Sequence, residues 1–242
     1  MQQRTTSLGR LHIGGREDLF RQLATILNTG TETERGHFAI GLTGGSTPLA
    51  FYRWAAAEKP FKEEFLSRAV WSVSDERMVP LESEESNFGN ADREMLQLMK
   101  VPGERKLPFP VQVDPHSAAL AFDRRFRERF GAGAFSVCLL GMGEDGHTAS
   151  IFPGSPLLAI EADAFFAPVD VPEKGWRLSI TPHGLAASRR IVIMVTGAGK
   201  AERLAEAFST SPDPQRLPVQ LLHRHADRTD WLVDEAAAAK LP

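Results

Sequence analysis

The sequence predicts an α/β fold in a single domain spanning residues 1–242, with a mainly parallel, Rossmann-like sheet covered by helices on both faces. Short apolar runs alternate with helical patterns along the chain, and the clearest runs are FAIGL at 38–42, VCLL at 137–140 and IVIMV at 191–195. Uninterrupted apolar runs of this kind are typical of strands that are buried on both faces of a parallel sheet. We find no internal repeat and no linker that would divide the chain.

In the first half of the chain, apolar residues at helical spacing predict helices at 17–27, 49–57, 86–99 and 117–130. Strands are predicted at 38–42 and 69–74. Thr47 is the predicted N-cap of the second helix, and Pro48 is its predicted first position. Four prolines between Val101 and Pro115 exclude one long element there.

In the second half, strands are predicted at 137–140, 177–180, 191–195 and 231–233. Thr181 and Pro182 open a short helix, and further helices are predicted at 201–208, 219–225 and 236–240. Residues 160–169 show no clear period and are left unassigned. Strands that alternate with helices in this way favour parallel pairing.

The composition excludes several classes of partner. A formal net charge of -3 provides no basic field over the molecule, so we expect no nucleic acid or anionic membrane as a partner. The single cysteine, Cys138, lies inside an apolar strand and indicates buried packing in a reducing compartment. No signal peptide is visible, and the longest strongly apolar run is too short to span a bilayer. We therefore expect a cytoplasmic protein. The working expectation for the oligomeric state is a monomer, which the sequence itself does not establish.

The stretch most suggestive of chemistry is the turn GMGEDGHT, which follows the predicted strand at 137–140. Its glycines permit a sharp turn and a close approach of ligand to backbone. Asp145 stands two residues before His147, so the carboxylate could orient the imidazole as a general base. A lone loop histidine is more often structural, but the carboxyl ends of strands are where ligands bind in open α/β sheets.

Three other loops also follow predicted buried strands. Gly44, Gly45 and Ser46 form a glycine-rich turn at a helix start, which is either a phosphate-binding arrangement or a plain connection. Asp75 and Arg77 belong to a charged triplet, which is either a solvated run or an anion site in which Asp75 holds Arg77.

Lys200 stands at the end of the fourth such loop, TGAGK, beside another helix start. In a parallel sheet all four loops open at the same edge. Together they describe a pocket for a small phosphorylated molecule with a base at its other end.

The motifs TGGSTP, SDERMVP, GMGEDGHTASIFPGSP, RLSIT, VTGAGKAERL and LPVQLL resemble the 6-phosphogluconolactonase family, in order from about Phe38 to Ala237. The resemblance implies the sugar-phosphate isomerase/deaminase fold and hydrolysis of 6-phospho-D-glucono-1,5-lactone, the second step of the oxidative pentose phosphate route. By resemblance, His147 activates water and Asp145 orients its ring.

The same resemblance makes Gly44, Gly45, Ser46, Arg77 and Lys200 the candidates for binding the phosphorylated end, with Asp75 beside Arg77. Arg77 could instead stabilise the tetrahedral oxyanion. No covalent nucleophile, cofactor or metal is expected, because GxSxG is absent and His147 lacks a second ligand at metal spacing.

Two alternatives remain at this stage. Glucosamine-6-phosphate deaminase shares the Asp-Gly-His turn but continues it as IAFNEP, whereas this chain continues it as TASIFP and places Phe152 where that family has a carboxylate. A non-catalytic sugar-phosphate sensor would normally carry a helix-turn-helix, and the residues before Phe38 are too few and not basic enough to form one.

Overall fold

The computed structural model of the chain describes residues 1–160 and 163–242. The strands in the described residues are β1 Gln2–Thr6, β2 Gly9–Gly14, β3 Phe38–Leu42, β4 Ala69–Val73, β5 Asp75–Arg77, β6 Val137–Gly141, β7 Phe166–Val171, β8 Gly175–Ile180, β9 Ile191–Val195 and β10 Thr229–Asp234. The helices are α1 Arg16–Gly30, α2 Ser46–Glu58, α3 Glu63–Arg68, α4 Asn87–Ala91, α5 Pro115–Phe130, α6 Pro182–Ala187, α7 Ala201–Ser209 and α8 Glu235–Ala238. A π-helical turn, Asp92–Leu96, extends α4, and 3-10 helices cover Gly103–Arg105, Pro156–Ala159, Ala198–Lys200 and Pro218–Arg228.

The main sheet has the strand order β1-β2-β10-β9-β6-β3-β4. Among the described strands of this sheet, the β1–β2 pair alone is antiparallel, and the other pairs are parallel. Every residue of β3, β4 and β9 is buried, as expected for strands with both faces covered. The predicted α/β class with a mainly parallel sheet is therefore confirmed.

The sequence did not predict the β1–β2 hairpin or the second sheet, in which β5, β8 and β7 pair antiparallel. β1 is almost entirely exposed and carries no apolar pattern. β7 falls in the stretch left unassigned, of which residues 161 and 162 lie outside the described residues. These strands depend on pairing with distant segments, which local periodicity does not reveal.

Two local predictions at α2 were wrong. The N-cap is Gly45, with φ at 106°, and not Thr47. The Thr47 hydroxyl instead hydrogen-bonds to the Thr196 hydroxyl, so it joins two loops. Pro48 occupies the third helical position. A backbone N–H at this position has no partner within the helix, so the proline removes no helical hydrogen bond.

The order of the strands produces a switch point between β3 and β6. From β3 the chain first adds β4 on one side, and later adds β6, β9 and β10 on the other. Crevices form outside the carboxyl ends of strands at such a reversal. The loops after β3 and β6 border this crevice.

At the opposite edge of the sheet, the side chain of Asp230 is fully buried among cations. Its oxygens accept hydrogen bonds from Arg10 Nε and Nη2 at 2.8 Å each, and from Arg190 Nε at 2.7 Å. His12 Nε2 lies 3.1 Å away. Burial opposes ionisation, but these hydrogen bonds outweigh it, so the pKa of Asp230 lies well below its ordinary value.

Replacing Asp230 with Asn should lower the free energy of unfolding by about 3 kcal/mol at pH 7, because the partly buried arginines lose their counter-charge. A carboxylate with a depressed folded-state pKa stabilises fully above its unfolded pKa, about 3.9, and this contribution is lost as the pH falls through the folded value. The difference between parent and variant should therefore narrow below about pH 4. Urea unfolding at several pH values measures the difference in free energy of unfolding between parent and variant, with the exposed Asp227→Asn as control. Equal stability of parent and Asp230→Asn at pH 7 would contradict the expectation.

Candidate active site

The turn after β6 is held compact by its own backbone. The Gly143 N–H donates to the His147 carbonyl at 2.9 Å, and the Gly146 N–H donates to the Gly143 carbonyl at 3.1 Å. The Thr148 hydroxyl donates back to the Gly141 carbonyl at 2.9 Å. His147 is therefore carried on a rigid turn and not on a free loop.

The predicted pairing of Asp145 with His147 is present. Asp145 Oδ1 lies 2.6 Å from His147 Nδ1, and it also accepts the His147 backbone N–H at 3.0 Å. Burial raises the pKa of Asp145, but the hydrogen bonds and charge of His147 lower it further, so the pKa is below its ordinary value. An ionised carboxylate only accepts hydrogen bonds, so Nδ1 carries the proton and Nε2 is left as the basic nitrogen.

Position 143 requires glycine, because the side chains of Asp145 and His147 pack directly against it. A Cβ at this position would lie 2.0 Å from His147 Nδ1 and 2.5 Å from Asp145 Oδ1. Both distances are far inside van der Waals contact, so any other residue would push the pair apart. Gly143 therefore makes the Asp145–His147 geometry possible.

Phe152 covers one face of the imidazole. The rings of His147 and Phe152 stack with centroids 4.2 Å apart at 24°. Lys174 Nζ in turn lies 4.5 Å from the centroid of the Phe152 ring. The position that the sequence comparison aligned with a deaminase carboxylate is thus an apolar wall beside His147.

The loop after β3 packs closely against the start of α4. A Cβ on Gly44 would lie 2.0 Å from Asn87 Oδ1, so only glycine permits this approach. Asn87 Nδ2 donates to the Asp75 carbonyl at 2.8 Å. Asn87 is therefore hydrogen-bonded to β5 and packed against the Gly44 turn, a position that sequence reasoning missed.

The charged triplet in β5 is neither a solvated run nor the predicted Asp75–Arg77 pair. The Asp75 carboxylate is buried and accepts the Ser150 hydroxyl at 2.7 Å, whereas Arg77 Nη1 donates to the Glu85 carbonyl at 2.6 Å. Asp75 thus holds the loop that follows His147, and the idea that it holds Arg77 was wrong.

Glu76, the middle residue of the triplet, is fully buried and serves the start of α4. Its carboxylate accepts the backbone N–H groups of Asn87 at 2.7 Å and Phe88 at 2.8 Å. Burial raises the pKa of Glu76, although these hydrogen bonds act against the rise. Glu76 therefore fixes the helix that carries Asn87.

A cavity of about 190 Å³ opens beside His147, and its lining residues are Thr43, Gly141, Met142, Gly143, His147, Ala149 and Lys200. The structure thus brings Lys200 and His147 together, as predicted. Gly44, Gly45, Ser46 and Arg77 lie outside this lining. A larger cleft of about 560 Å³ lies at the amino ends of β3, β6 and β9, away from His147.

The Gly197 turn was a predicted anion-binding feature, and a side-chain carboxylate of the chain already binds there. The Gly197 N–H, at the turn after β9, donates to both oxygens of Asp234 at 3.0 Å. A carboxylate of the chain therefore satisfies this backbone donor. Lys200, at the end of the same loop, lines the His147 cavity.

Within residues 1–160 and 163–242, no three His, Cys, Asp or Glu side chains are grouped so as to hold a metal ion. No helix in the same part of the chain is long and apolar enough to cross a membrane. Among the described residues, the ionisable side chains that line the His147 cavity are His147 and Lys200.

A parallel sheet with a carboxylate-oriented histidine at its switch point defines a class of α/β protein that acts on a small molecule in this crevice. Residues 16–231 match the family described as glucosamine-6-phosphate isomerases/6-phosphogluconolactonase, and the chain belongs to this family. It is therefore an enzyme of sugar-phosphate metabolism.

Relatives within the family support this assignment. The human 6-phosphogluconolactonase is 33% identical over 216 residues, covering 86% of this chain and 82% of the relative. The 6-phosphogluconolactonase of Synechocystis is 33% identical over 214 residues, covering 86% of each chain. The crystal structure of 6-phosphogluconolactonase from Thermotoga maritima matches with a TM-score of 0.79 at 26% identity, covering 96% of this chain and all of the other.

Substituting Gly143 with Ala should displace the His147 ring and lengthen its hydrogen bond to Asp145. Overpacking of this kind costs about 1 to 3 kcal/mol of stability. Nitrogen NMR shifts of the imidazole report the hydrogen bond, and thermal unfolding reports the cost. Gly133→Ala is the matched control, because a Cβ there meets nothing within 4 Å; an unchanged His147 signal in Gly143→Ala would contradict the expectation.

Proposed function

We propose that this protein hydrolyses 6-phospho-D-glucono-1,5-lactone to 6-phospho-D-gluconate, with His147 activating the attacking water. The single observation that supports this mechanism best is the 2.6 Å contact between Asp145 and His147 Nδ1, beside a cavity at the switch point. It leaves Nε2 available to accept a proton. The family membership supplies the substrate class.

A δ-lactone is an activated ester, so a water molecule can attack its carbonyl carbon once a base takes a proton. His147 accepts that proton as the new C–O bond forms, and the carbonyl oxygen becomes an oxyanion. When the tetrahedral species collapses, the ring C–O bond breaks and His147 returns the proton to the departing ring oxygen. The product carries a hydroxyl group and a carboxyl group, and the imidazole is restored.

The side chains around His147 suit this sequence of steps. Asp145 remains ionised in the range where histidines titrate, because its pKa is below the ordinary value, and so it stabilises the transient imidazolium. Phe152 limits rotation of the ring by stacking on it. No residue needs to form a covalent bond with the substrate.

The negative charges of the substrate require local cations, since the chain has a net charge of -3. We assign this role to Lys200, which lines the His147 cavity, and to Arg77 on β5. Gly44, Gly45 and Ser46 add backbone N–H groups at the start of α2. Asp75 acts indirectly by holding Ser150.

The remaining parts of the proposal concern the setting of the enzyme. We place it in the cytoplasm as a monomer, at the second step of the oxidative pentose phosphate pathway. Gel filtration with light scattering tests the oligomeric state.

Replacing His147 with Ala should reduce kcat by about 100- to 10000-fold, the range for loss of a general base. The assay follows freshly generated phosphorylated lactone, corrected for its spontaneous hydrolysis. Circular dichroism confirms that the variant is folded, and the exposed His37→Ala serves as control. A folded His147→Ala variant with near-parental kcat would show that another group activates the water.

The parent kcat/KM should fall as the pH is lowered from about 8 to 5, because a protonated imidazole cannot accept a proton from water. The residual kcat/KM of His147→Ala should no longer fall at acid pH. A flat parent profile across this range would count against histidine as the base.

The protein should leave glucosamine-6-phosphate unchanged while hydrolysing the phosphorylated lactone. Isomerisation and deamination move protons between carbon and oxygen, which requires a suitably placed acid or base, and Phe152 supplies none beside His147. Ammonia release measures the competing reaction. A turnover on glucosamine-6-phosphate comparable to the lactonase rate would overturn the assignment.

A further inference from the structure

The cleft of about 560 Å³ at the amino ends of β3, β6 and β9, here called the amino-edge cleft, carries charge mainly of one sign. Four arginines line it, and Glu34 is the one carboxylate among the described lining residues. With His37 neutral, four arginines against one glutamate leave a formal charge of +3, in a protein whose net charge is -3. A cleft lined by one sign of charge focuses the potential and attracts ions of the opposite sign. The four arginines are Arg35, Arg129, Arg189 and Arg228.

These arginines come from four separate parts of the chain. Arg35 lies before β3, and Arg129 lies in the last turn of α5. Arg189 lies before β9, and Arg228 ends the 3-10 helix that precedes β10. A run of charges that are neighbours in sequence is usually a solvated segment, but here the strand order brings distant cations to one cleft. The fold therefore assembles the positive charge of this cleft.

The protein neutralises one of these four cations with a carboxylate. Arg189 Nε lies 3.2 Å from Glu34 Oε1. Among the described residues, no carboxylate lies within ion-pair distance of the other three arginines. Arg228 Nη2 donates to the Ala186 carbonyl at 2.8 Å, while its Nε is buried with no hydrogen-bond partner in the described part of the chain. Donors and positive charge in the amino-edge cleft thus exceed what the chain itself satisfies.

A hydroxyl group adds a further donor where the cleft meets the sheet. Ser136 lines the cleft, is 9% exposed, and donates its backbone N–H to the Ala39 carbonyl at 2.9 Å. Its hydroxyl makes no hydrogen bond with the described residues, whereas the hydroxyl of Ser188, in the same lining, donates to the Gly184 carbonyl at 2.8 Å. The Ser136 hydroxyl is therefore free to donate to a molecule bound in the cleft.

This cleft is separate from the cavity beside His147. Ser136 stands directly before β6, and the turn of His147 begins where β6 ends at Gly141. A five-residue strand rising about 3.3 Å per residue puts roughly 16 Å between the two ends. A molecule in the amino-edge cleft would therefore not contact the imidazole.

We propose that the amino-edge cleft is a second binding site, for a small organic polyanion that carries two or more phosphate or carboxylate groups. Planar guanidinium groups match both kinds of group with paired donors. Its volume of about 560 Å³ is in the range of sites for small organic molecules, about 300 to 1000 Å³. A bound polyanion would also relieve the repulsion among the arginines. The inference does not depend on the proposed lactonase activity.

The test uses pyrophosphate and citrate as probes and follows backbone amide signals by NMR. Gly133 lines the amino-edge cleft and Gly143 lines the His147 cavity, so their N–H signals report the two places separately. A probe bound in the cleft should shift the Gly133 signal until it saturates. Saturation by pyrophosphate alone would identify phosphate groups as the ligand chemistry, by citrate alone carboxylate groups, and by both the shared anionic chemistry; each result supports the site.

Two variants remove donors from the cleft. Arg35→Ala should weaken the affinity measured at Gly133 by about 10-fold, the loss of one charge-assisted interaction. Arg35 is exposed, so this variant should fold normally. Arg228→Lys keeps the charge but loses the planar fork, and it should also weaken binding by about 10-fold. If circular dichroism shows that Arg228→Lys is unfolded, Arg35→Ala decides the question.

Control variants separate this site from general charge effects and from the His147 cavity. Arg16→Ala removes an exposed arginine outside the cleft lining, and it should leave the affinity at Gly133 within about twofold of the parent. Lys200→Ala removes the cation of the His147 cavity and should likewise leave the Gly133 response unchanged. The proposal would be overturned by a Gly133 signal that saturates with neither probe, by the same shift in sodium chloride of equal ionic strength, or by equal weakening in Arg16→Ala and Arg35→Ala.

Discussion

Parallel pairing of β3 with β6 is the constraint on which the candidate site depends. Ile40 lies opposite Val137 in that pair, and the sheet grows in opposite directions on its two sides. The reversal opens a crevice at the carboxyl ends, where a helix does not cover the strands. The turn of His147 and the loop of Thr43 both border this crevice, so a change in strand order would separate these two loops that line the cavity.

Two buried carboxyl groups position the elements that surround this crevice. Asp75 binds Ser150 in the loop after His147, and Glu76 binds the backbone at the start of α4. Asn87, at that helix start, then reaches the Gly44 turn. The Glu76 carboxyl group accepts hydrogen bonds from several donors, which is the condition under which a buried polar group is tolerated. This chain of contacts couples the small sheet, α4 and the two loops into one support for the turn that carries His147.

The electrostatics of the protein show why helix starts alone do not define an anion site. Asp234 already satisfies the Gly197 N–H, so the loop of Lys200 contributes its cation and not that backbone donor. Arg77 and Arg177, by contrast, retain buried donors without partners among the described residues. A protein of net charge -3 provides no general positive field, so an anion must be bound by individual side chains and backbone donors.

The sequence by itself determined the α/β class, the buried strands at 38–42 and 191–195, and the convergence of their loops, because uninterrupted apolar runs and glycine turns are local signals. It also predicted the pairing of Asp145 with His147, since two residues of one tight turn are close regardless of the rest of the chain. Tertiary structure alone decided that Asp75 binds Ser150, that Phe152 stacks on His147 and that Arg77 opposes Arg177. These contacts join segments far apart in the chain or depend on how side chains pack, and strand register and packing, not local composition, place them.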